Sequence, residues 1–207
     1  NLIGQCFEMP NVSYTQPLCT SLKKTQHMKR LNILLLTILF ITSCQSGDTE
    51  RLVTIENKYS ISLPSFLVKA STTLNAEASL QYLHTWKEFY VIVIDESKSE
   101  MQKALADNNL TDKYSNDIKG YSDLLLNGFE QSISISHKSD IVDTLINNMP
   151  ARVFTINGRV EGIDAFYSLA FIEGKERYYQ IMTWTLSSKE YEYKDKMRKI
   201  LYSLKEL

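Results

Sequence analysis

The feature that most limits how this chain can fold is an apolar run that stops at a cysteine, "NILLLTILFITSC" at residues 32–44. From Leu31 to Ile41, only Asn32 and Thr37 interrupt its apolar character. A helix that crosses a bilayer needs roughly 20 apolar residues, so this run is too short to span a membrane. A basic start, an apolar stretch of this length and an exit of small residues are typical of a secretory signal peptide. The sequence therefore predicts that the run leaves the protein.

The residues around the run resemble the signal of bacterial lipoproteins. Met28 precedes a basic pair, Lys29 and Arg30. The run ends on the four positions of a lipobox, which are Ile41, Thr42, Ser43 and Cys44. By this resemblance, residues 28–43 are a lipoprotein signal peptide and Cys44 is the first mature residue. The resemblance implies a thioether-linked diacylglycerol on Cys44, usually with a further acyl chain such as palmitate on its amine.

The alternative is that the run is a buried core helix followed by an ordinary cysteine. The next segment, "QSGDTE" at residues 45–50, is polar and is typical of a tether rather than of a continuing helix. We therefore expect residues 44–50 to be a lipidated tether. Its six residues after the cysteine reach at most about 20 Å, so the domain is expected close to the membrane. Acyl chains buried in lipid contribute about 0.8 kcal/mol per CH₂, which makes such an anchor effectively permanent.

Residues 1–27 precede the predicted signal and have no sustained apolar period. Because a signal peptide normally starts near its initiator, Met28 is well placed to be that initiator. We expect residues 1–27 to be upstream or wrongly assigned sequence and exclude them from the fold. A genuine N-terminal extension is the alternative, and the N-terminal sequence of the native protein decides between the two.

Cysteine content and charge limit the function classes that remain. The cysteines are Cys6, Cys19 and Cys44, so a protein that begins at Cys44 has no pair for an intrachain disulfide. From residue 44 onward the chain has 19 basic and 23 acidic residues, a net charge of −4. This mildly acidic balance, without a basic stripe, gives no electrostatic reason to bind nucleic acid or an anionic bilayer. The lipid must then provide the anchor.

Beyond the tether, residues 51–207 have the length of a single domain. Runs rich in β-branched and aromatic residues, separated by turn residues, predict strands. They lie at 51–56, 59–64, 79–86, 89–97, 139–147, 151–158, 163–173 and 177–186. The first four pair as two hairpins and the last four form an antiparallel meander. The run at 89–97 is almost continuously apolar, so we expect a central strand covered on both faces.

Helices are predicted in the middle of the domain and at its end. Ser97 and Glu100 form a capping pattern, and a second helix follows a loop at 108–117. Ser187 and Glu190 repeat the capping pattern before a C-terminal amphipathic helix. Its apolar stripe comprises Tyr193, Met197, Ile200, Leu201 and Leu204. The predicted fold class is α+β, with an antiparallel sheet, two hairpins plus a meander, covered by helices.

Four stretches resemble the PsbP/Mog-like families of α/β/α sandwich domains. They are "YSISLPSF", "WKEFYVIVID", "MPARVFTINGRVEG" and the closing "RYYQIMTWTLSSKEYEYKDKMRKILYSLKEL". The resemblance covers residues 51–207 and implies a single PsbP-like domain without catalytic activity. Members of these families act as lipoproteins, as extrinsic subunits of photosystems or as partners of small GTPases. The families share no catalytic residues, so none is transferred to this chain.

Motifs for hydrolases, phosphate loops and metalloproteases are absent from the sequence. Beyond the signal the only histidines are His84 and His137, too few for an ordinary structural zinc site, so we expect no metal and no cofactor. Asp95 and Glu96 end a predicted central strand, where carboxylates can be catalytic. We interpret them as solvated charges, because exposed carboxylates rarely have a special role.

Aromatic residues concentrate in the last two strands. Because side chains alternate along a strand, neighbours such as Tyr178 and Tyr179 point to opposite faces. One set must pack under the terminal helix, and the other could form an exposed recognition patch, since Tyr and Trp favour interfaces. The candidate patch comprises Tyr167, Tyr178, Tyr179 and Trp184. Packing on both faces of the sheet is the alternative.

These features favour a lipid-anchored lipoprotein of the bacterial cell envelope that acts as a non-catalytic binding or accessory module. Its expected partners are the membrane, through the lipid on Cys44, and an envelope protein. The outer membrane is favoured over the inner one. An envelope enzyme of the hydrolase type and a carrier of a small ligand are the alternatives, and both require a deep pocket.

Overall fold

The computed structural model describes residues 49–207. The predicted signal peptide, the lipobox residues Ile41, Thr42, Ser43 and Cys44, and residues 1–27 lie outside this range. Within it, the chain forms a mixed α+β fold of two antiparallel sheets and three helices. The strands are β1 (Glu50–Ile55), β2 (Tyr59–Pro64), β3 (Val68–Lys69), β4 (Ala78–His84), β5 (Phe89–Ser97), β6 (Ser134–Lys138), β7 (Val142–Ile146), β8 (Met149–Val160), β9 (Ile163–Glu173), β10 (Arg177–Leu186) and β11 (Lys205–Glu206). The helices are α1 (Lys98–Asp107), α2 (Ile118–Ser132) and α3 (Glu190–Ser203).

The large sheet has the strand order β3-β4-β5-β10-β9-β8-β6, and β7 also pairs with β8. Consecutive antiparallel pairing of β8, β9 and β10 gives the predicted meander. The first predicted hairpin also forms, but β1 and β2 belong to a separate small sheet that β11 completes. This separation allows the hairpin to lie over one face of the large sheet instead of extending its edge.

Both faces of the large sheet are covered, so β5 and β10 are core strands. On β5, Val91 and Val93 pack with the apolar stripe of α3 and with the small sheet. Between them, Ile92 belongs to a second cluster that includes Tyr121 of α2. The alternation of side chains therefore feeds two separate cores from one strand, as the apolar run at 89–97 predicts.

Side chains cap two of the three helices, and only the first of these caps was predicted. Ser97 Oγ accepts a hydrogen bond from Glu100 N at the start of α1, as predicted. Asp117 Oδ1 accepts from Gly120 N at the start of α2. The capping pattern predicted for α3 is wrong, because residues 187–189 form a separate 3-10 turn and α3 begins only at Glu190. The Glu190 carboxylate instead accepts a hydrogen bond from Asn157 Nδ2 of β8.

Among residues 49–207, no helix combines the length and the apolar character that a bilayer crossing requires.

Candidate functional site

Two exposed aromatic side chains lie at one end of the large sheet. Trp86 sits in a 3-10 turn between β4 and β5 and is 91% exposed. Tyr191 lies in the first turn of α3 and is 100% exposed. Both follow from the sheet register, because β10 ends where β5 begins, with Trp184 opposite Tyr90. We call this part of the molecule the Trp86 end.

The two segments that carry these aromatics are joined directly. Lys189 Nζ lies 2.8 Å from Glu88 Oε2 and donates to the Lys87 carbonyl oxygen at 3.3 Å. Within the turn, His84 Nδ1 accepts a hydrogen bond from Lys87 N at 3.1 Å. Glu88 closes the turn in the left-handed region with φ of 52°. These bonds hold the turn with Trp86 against the start of α3, which carries Tyr191.

The start of the described chain reaches the same end. Ser65 N donates to the Thr49 carbonyl oxygen at 2.7 Å, and the two hydroxyl oxygens lie 2.6 Å apart. Phe66, the next residue, packs against the His84 ring with centroids 5.8 Å apart. Lys87 Nζ lies 5.2 Å from the centre of the Phe66 ring. Thr49 is therefore linked through two neighbouring residues to the turn that holds Trp86.

At the opposite end of the sheet, the Asp95 carboxylate is buried among charges. Its side chain is only 1% exposed, and its Oδ2 atom lies 2.9 Å from Lys58 Nζ and 2.5 Å from Arg177 NH2. Burial raises the pKa of Asp95, but hydrogen bonding from Ser79 and Lys58 and the charge of Arg177 outweigh it and hold that pKa below its ordinary value. Asp95 therefore stays ionised and joins β5 to the β1–β2 turn and to β10.

The neighbouring carboxylate, Glu96, points to the other face of β5 and behaves in the opposite way. The Tyr121 hydroxyl of α2 donates to Glu96 Oε2 at 2.5 Å. Burial raises the pKa of Glu96, and the negative charges of Glu77, Asp95 and Glu100 raise it further, against the hydrogen bond from Tyr121. Glu96 therefore joins α2 to the large sheet.

The interpretation of Asp95 and Glu96 as solvated strand-end charges is wrong. Both carboxylates are bonded to side chains from distant parts of the chain, up to 82 residues away for Arg177. Opposite pKa shifts on adjacent acids can mark a catalytic pair. Here the two side chains lie on opposite faces of one strand, so they cannot act together on one substrate.

The candidate aromatic patch of Tyr167, Tyr178, Tyr179 and Trp184 is also wrong as an exposed surface. Each of the four is at most 4% exposed. Tyr179 faces the α3 core, and the other three face the α2 core, because helices and the small sheet cover both faces. Burial raises the pKa of Tyr167 to about 12, and burial with the nearby Glu173 charge raises that of Tyr178 to about 12. The alternative of packing on both faces is what the structure has.

The histidines have structural surroundings. His84 caps the 3-10 turn through Nδ1 and contacts Phe66, while His137 lies exposed on β6. Within the part of the chain from Thr49 onward, no three His, Cys, Asp or Glu side chains are grouped so as to hold a metal ion.

Neither a protein-family model nor a curated protein sequence matches the chain. Its fold is similar to that of the cyanobacterial PsbP protein CyanoP from Synechocystis sp. PCC 6803 in solution. That structure has a TM-score of 0.51 and 9% sequence identity, and the match covers 77% of this chain and 94% of that chain. At this identity the likeness concerns the fold, which is PsbP-like. A Pseudomonas aeruginosa protein of unknown function has a TM-score of 0.38 and 13% identity, over 72% of this chain and 91% of that chain.

Sequence reasoning missed Trp86 and the exposure of Tyr191, although signals for both exist. Trp86 lies next to the Lys87-Glu88 turn between two predicted strands, where a side chain has no sheet face to cover. Tyr191 lies two positions before Tyr193, and at 3.6 residues per turn this places it on the side of α3 opposite the apolar stripe.

Proposed function

We propose that this protein is a lipid-anchored lipoprotein of the bacterial cell envelope and acts there as a non-catalytic binding or accessory module. Residues 28–43 direct export and are removed, Cys44 carries the lipid, residues 44–50 form the tether, and residues 51–207 form the working domain. The outer membrane is the proposed location, and an envelope protein is the proposed partner.

The observation that supports this proposal is the short distance in sequence between Cys44 and the first strand that the structure describes. Thr49 is already hydrogen-bonded to Ser65, and β1 starts at Glu50, only six residues after Cys44. A folded domain therefore follows directly after the lipobox and a polar tether. This arrangement suits a domain that is held at a membrane surface by its first mature residue.

The geometry of the buried acids supports a non-catalytic role. Asp95 is neutralised by Lys58 and Arg177, and Glu96 accepts from Tyr121, so both act as links between elements. The PsbP-like fold, which the chain shares with CyanoP, also supports an accessory module.

The test is to replace the proposed lipid-bearing residue in the whole chain. Cys44→Ala is expressed from Met28 in a Gram-negative host, with Ser46→Ala in the proposed tether as a matched control. We expect the wild type and Ser46→Ala to fractionate with membranes and to incorporate a fatty-acid probe. Cys44→Ala should do neither and should keep its signal segment. Equal labelling of all three proteins, or labelling of none, would contradict the proposal.

A further inference from the structure

We infer that the Trp86 end of the domain rests on the bilayer that holds the lipid, with Trp86 and Tyr191 in the headgroup region. This inference rests on the proposed lipid anchor at Cys44. It adds an orientation and a second contact with the membrane, which the anchor alone does not provide.

The length of the tether is the first argument. From Cys44 to Thr49 is a step of five residues, which spans at most about 18 Å when fully extended. That is shorter than a long strand of the large sheet, since β9 has 11 residues at about 3.3 Å each. The end of the domain that carries Thr49 must therefore stay close to the lipid surface.

The position of Thr49 is the second argument. Thr49 bonds to Ser65, and Phe66 contacts His84 and lies beneath the Lys87 ammonium group. Trp86 lies between His84 and Lys87 in the chain. Thr49, where the tether joins the domain, and the exposed Trp86 are therefore at the same end of the domain. The buried Asp95 network lies at the other end of β5, beyond the reach of the tether.

The chemistry of the exposed side chains is the third argument. Trp and Tyr have a large apolar body and a polar tip, which is why they concentrate at the boundary between lipid and water. Trp86 and Tyr191 are 91% and 100% exposed, which is unusual for large aromatic side chains. The other tryptophan, Trp184, is only 4% exposed. Because the mature chain has a net charge of −4, attraction to anionic lipid does not explain the contact. The expected contact is with the interface itself and does not depend on anionic lipid.

The chain offers a clean optical test, since Trp86 and Trp184 are its only tryptophans. The lipidated protein, extracted from membranes, is reconstituted into phosphatidylcholine vesicles with or without bromine on the acyl chains near the headgroups. Bromine quenches tryptophan fluorescence only at short range. Trp184→Phe reports on Trp86 alone, and Trp86→Phe is the matched control that reports on the buried Trp184.

We expect Trp184→Phe to lose most of its fluorescence on brominated vesicles. On vesicles without bromine, it should emit at a shorter wavelength than a tryptophan exposed to water. Trp86→Phe should keep its fluorescence, and high salt should not reverse the quenching. If Trp184→Phe does not fold, the difference in quenching between the wild type and Trp86→Phe measures Trp86 instead.

Two results would overturn the inference while leaving the anchor intact. Protein that floats with the vesicles but shows no quenching of Trp86 has the anchor and another orientation. A shorter emission wavelength without quenching means that protein, such as a second copy of the chain, covers Trp86. Protein that carries no lipid on Cys44 and does not float contradicts the proposed function, and the inference falls with it.

Discussion

The Arg177 guanidinium lies 2.5 Å from the Asp95 carboxylate, which is only 1% exposed. The contact crosses neighbouring antiparallel strands, since Tyr179 of β10 is the direct partner of Asp95 and Arg177 lies two residues away. Lys58 adds a second positive charge from the β1–β2 turn at 2.9 Å. A single carboxylate thus connects the small sheet with two central strands of the large one.

Asp95→Asn should destabilise the domain because it leaves two cations around a neutral, buried amide. Removing one member of a mostly buried, hydrogen-bonded charge pair costs about 2–3 kcal/mol in the free energy of unfolding. Urea denaturation of the wild type and the variant at neutral pH measures the difference. Asp164→Asn is the matched control, because its ion pair with Arg159 is exposed at the surface and should leave the midpoint unchanged. If Asp95→Asn unfolds at the same urea concentration as the wild type, the ion pairs of Asp95 with Lys58 and Arg177 do not hold the sheets together.

Glu96→Gln should change how stability depends on pH. The folded-state pKa of Glu96 lies above its ordinary value of 4.5, so its contribution is fully present below about that pH and is lost as pH rises through the raised pKa. A glutamine cannot ionise, and its carbonyl can still accept from Tyr121. The variant should therefore gain stability relative to the wild type as pH increases above 4.5.

The measurement is urea denaturation at a series of pH values on both sides of 4.5. Asp95→Asn is the internal comparison, because the pKa of Asp95 is shifted below 3.8 and its contribution is lost only as pH falls through that lower value. A constant stability difference between Glu96→Gln and the wild type across the series would show that Glu96 is not protonated more readily in the folded state.

Two stacked tyrosines should respond differently to the loss of their hydroxyl groups. Tyr121 and Tyr178 have ring centroids 4.4 Å apart, so phenylalanine at either position keeps the stack. Tyr121→Phe removes the hydrogen bond to Glu96 and should cost about 1–2 kcal/mol. The Tyr178 hydroxyl is buried and makes no hydrogen bond within residues 49–207, so Tyr178→Phe should be neutral or slightly stabilising. Thermal or urea unfolding of the two variants checks this order, and the reverse order would contradict it.

The two tryptophans should differ in their contribution to stability. Trp184 stacks on Tyr90 at 5.1 Å in the core, so Trp184→Ala should cost about 3–5 kcal/mol. Trp86 is exposed, and Trp86→Ala should change the free energy of unfolding by no more than about 0.5 kcal/mol. Chemical denaturation followed by circular dichroism, which needs no tryptophan signal, compares them. A large loss for Trp86→Ala would mean that this side chain serves the fold rather than a contact surface.

Much of the fold could be predicted from local patterns. The run at 89–97 and the stripe on α3 identify buried elements, because their periodicity depends on residues close in sequence. β6 was missed, since its residues are mostly exposed and polar, and pairing with β8 rather than composition makes it a strand. The start of α3 was misplaced because Glu190 bonds to Asn157, 33 residues earlier in the chain, instead of capping its own helix.

The sites were harder to predict, because exposure depends on what the rest of the chain covers. The aromatic run in β10 looks the same whether one face or two are packed, and here α2, α3 and the small sheet cover both. The burial and ion pairing of Asp95 were equally hard to predict, because Lys58 and Arg177 come from opposite ends of the domain sequence. The prediction for Cys44 concerns residues outside 49–207 and stays a prediction.

The pairing of β11 with β2 has a consequence for the order of events during synthesis. Lys205 and Glu206 bond to Ser60 and Tyr59, so the small sheet needs residues from both ends of the domain. Contacts between such distant positions form late, because the intervening chain must first be available and closed into a loop. The nascent polypeptide therefore cannot complete the small sheet until residue 206 has been made. Until then, the edge of β2 that β11 covers has no partner strand in the small sheet.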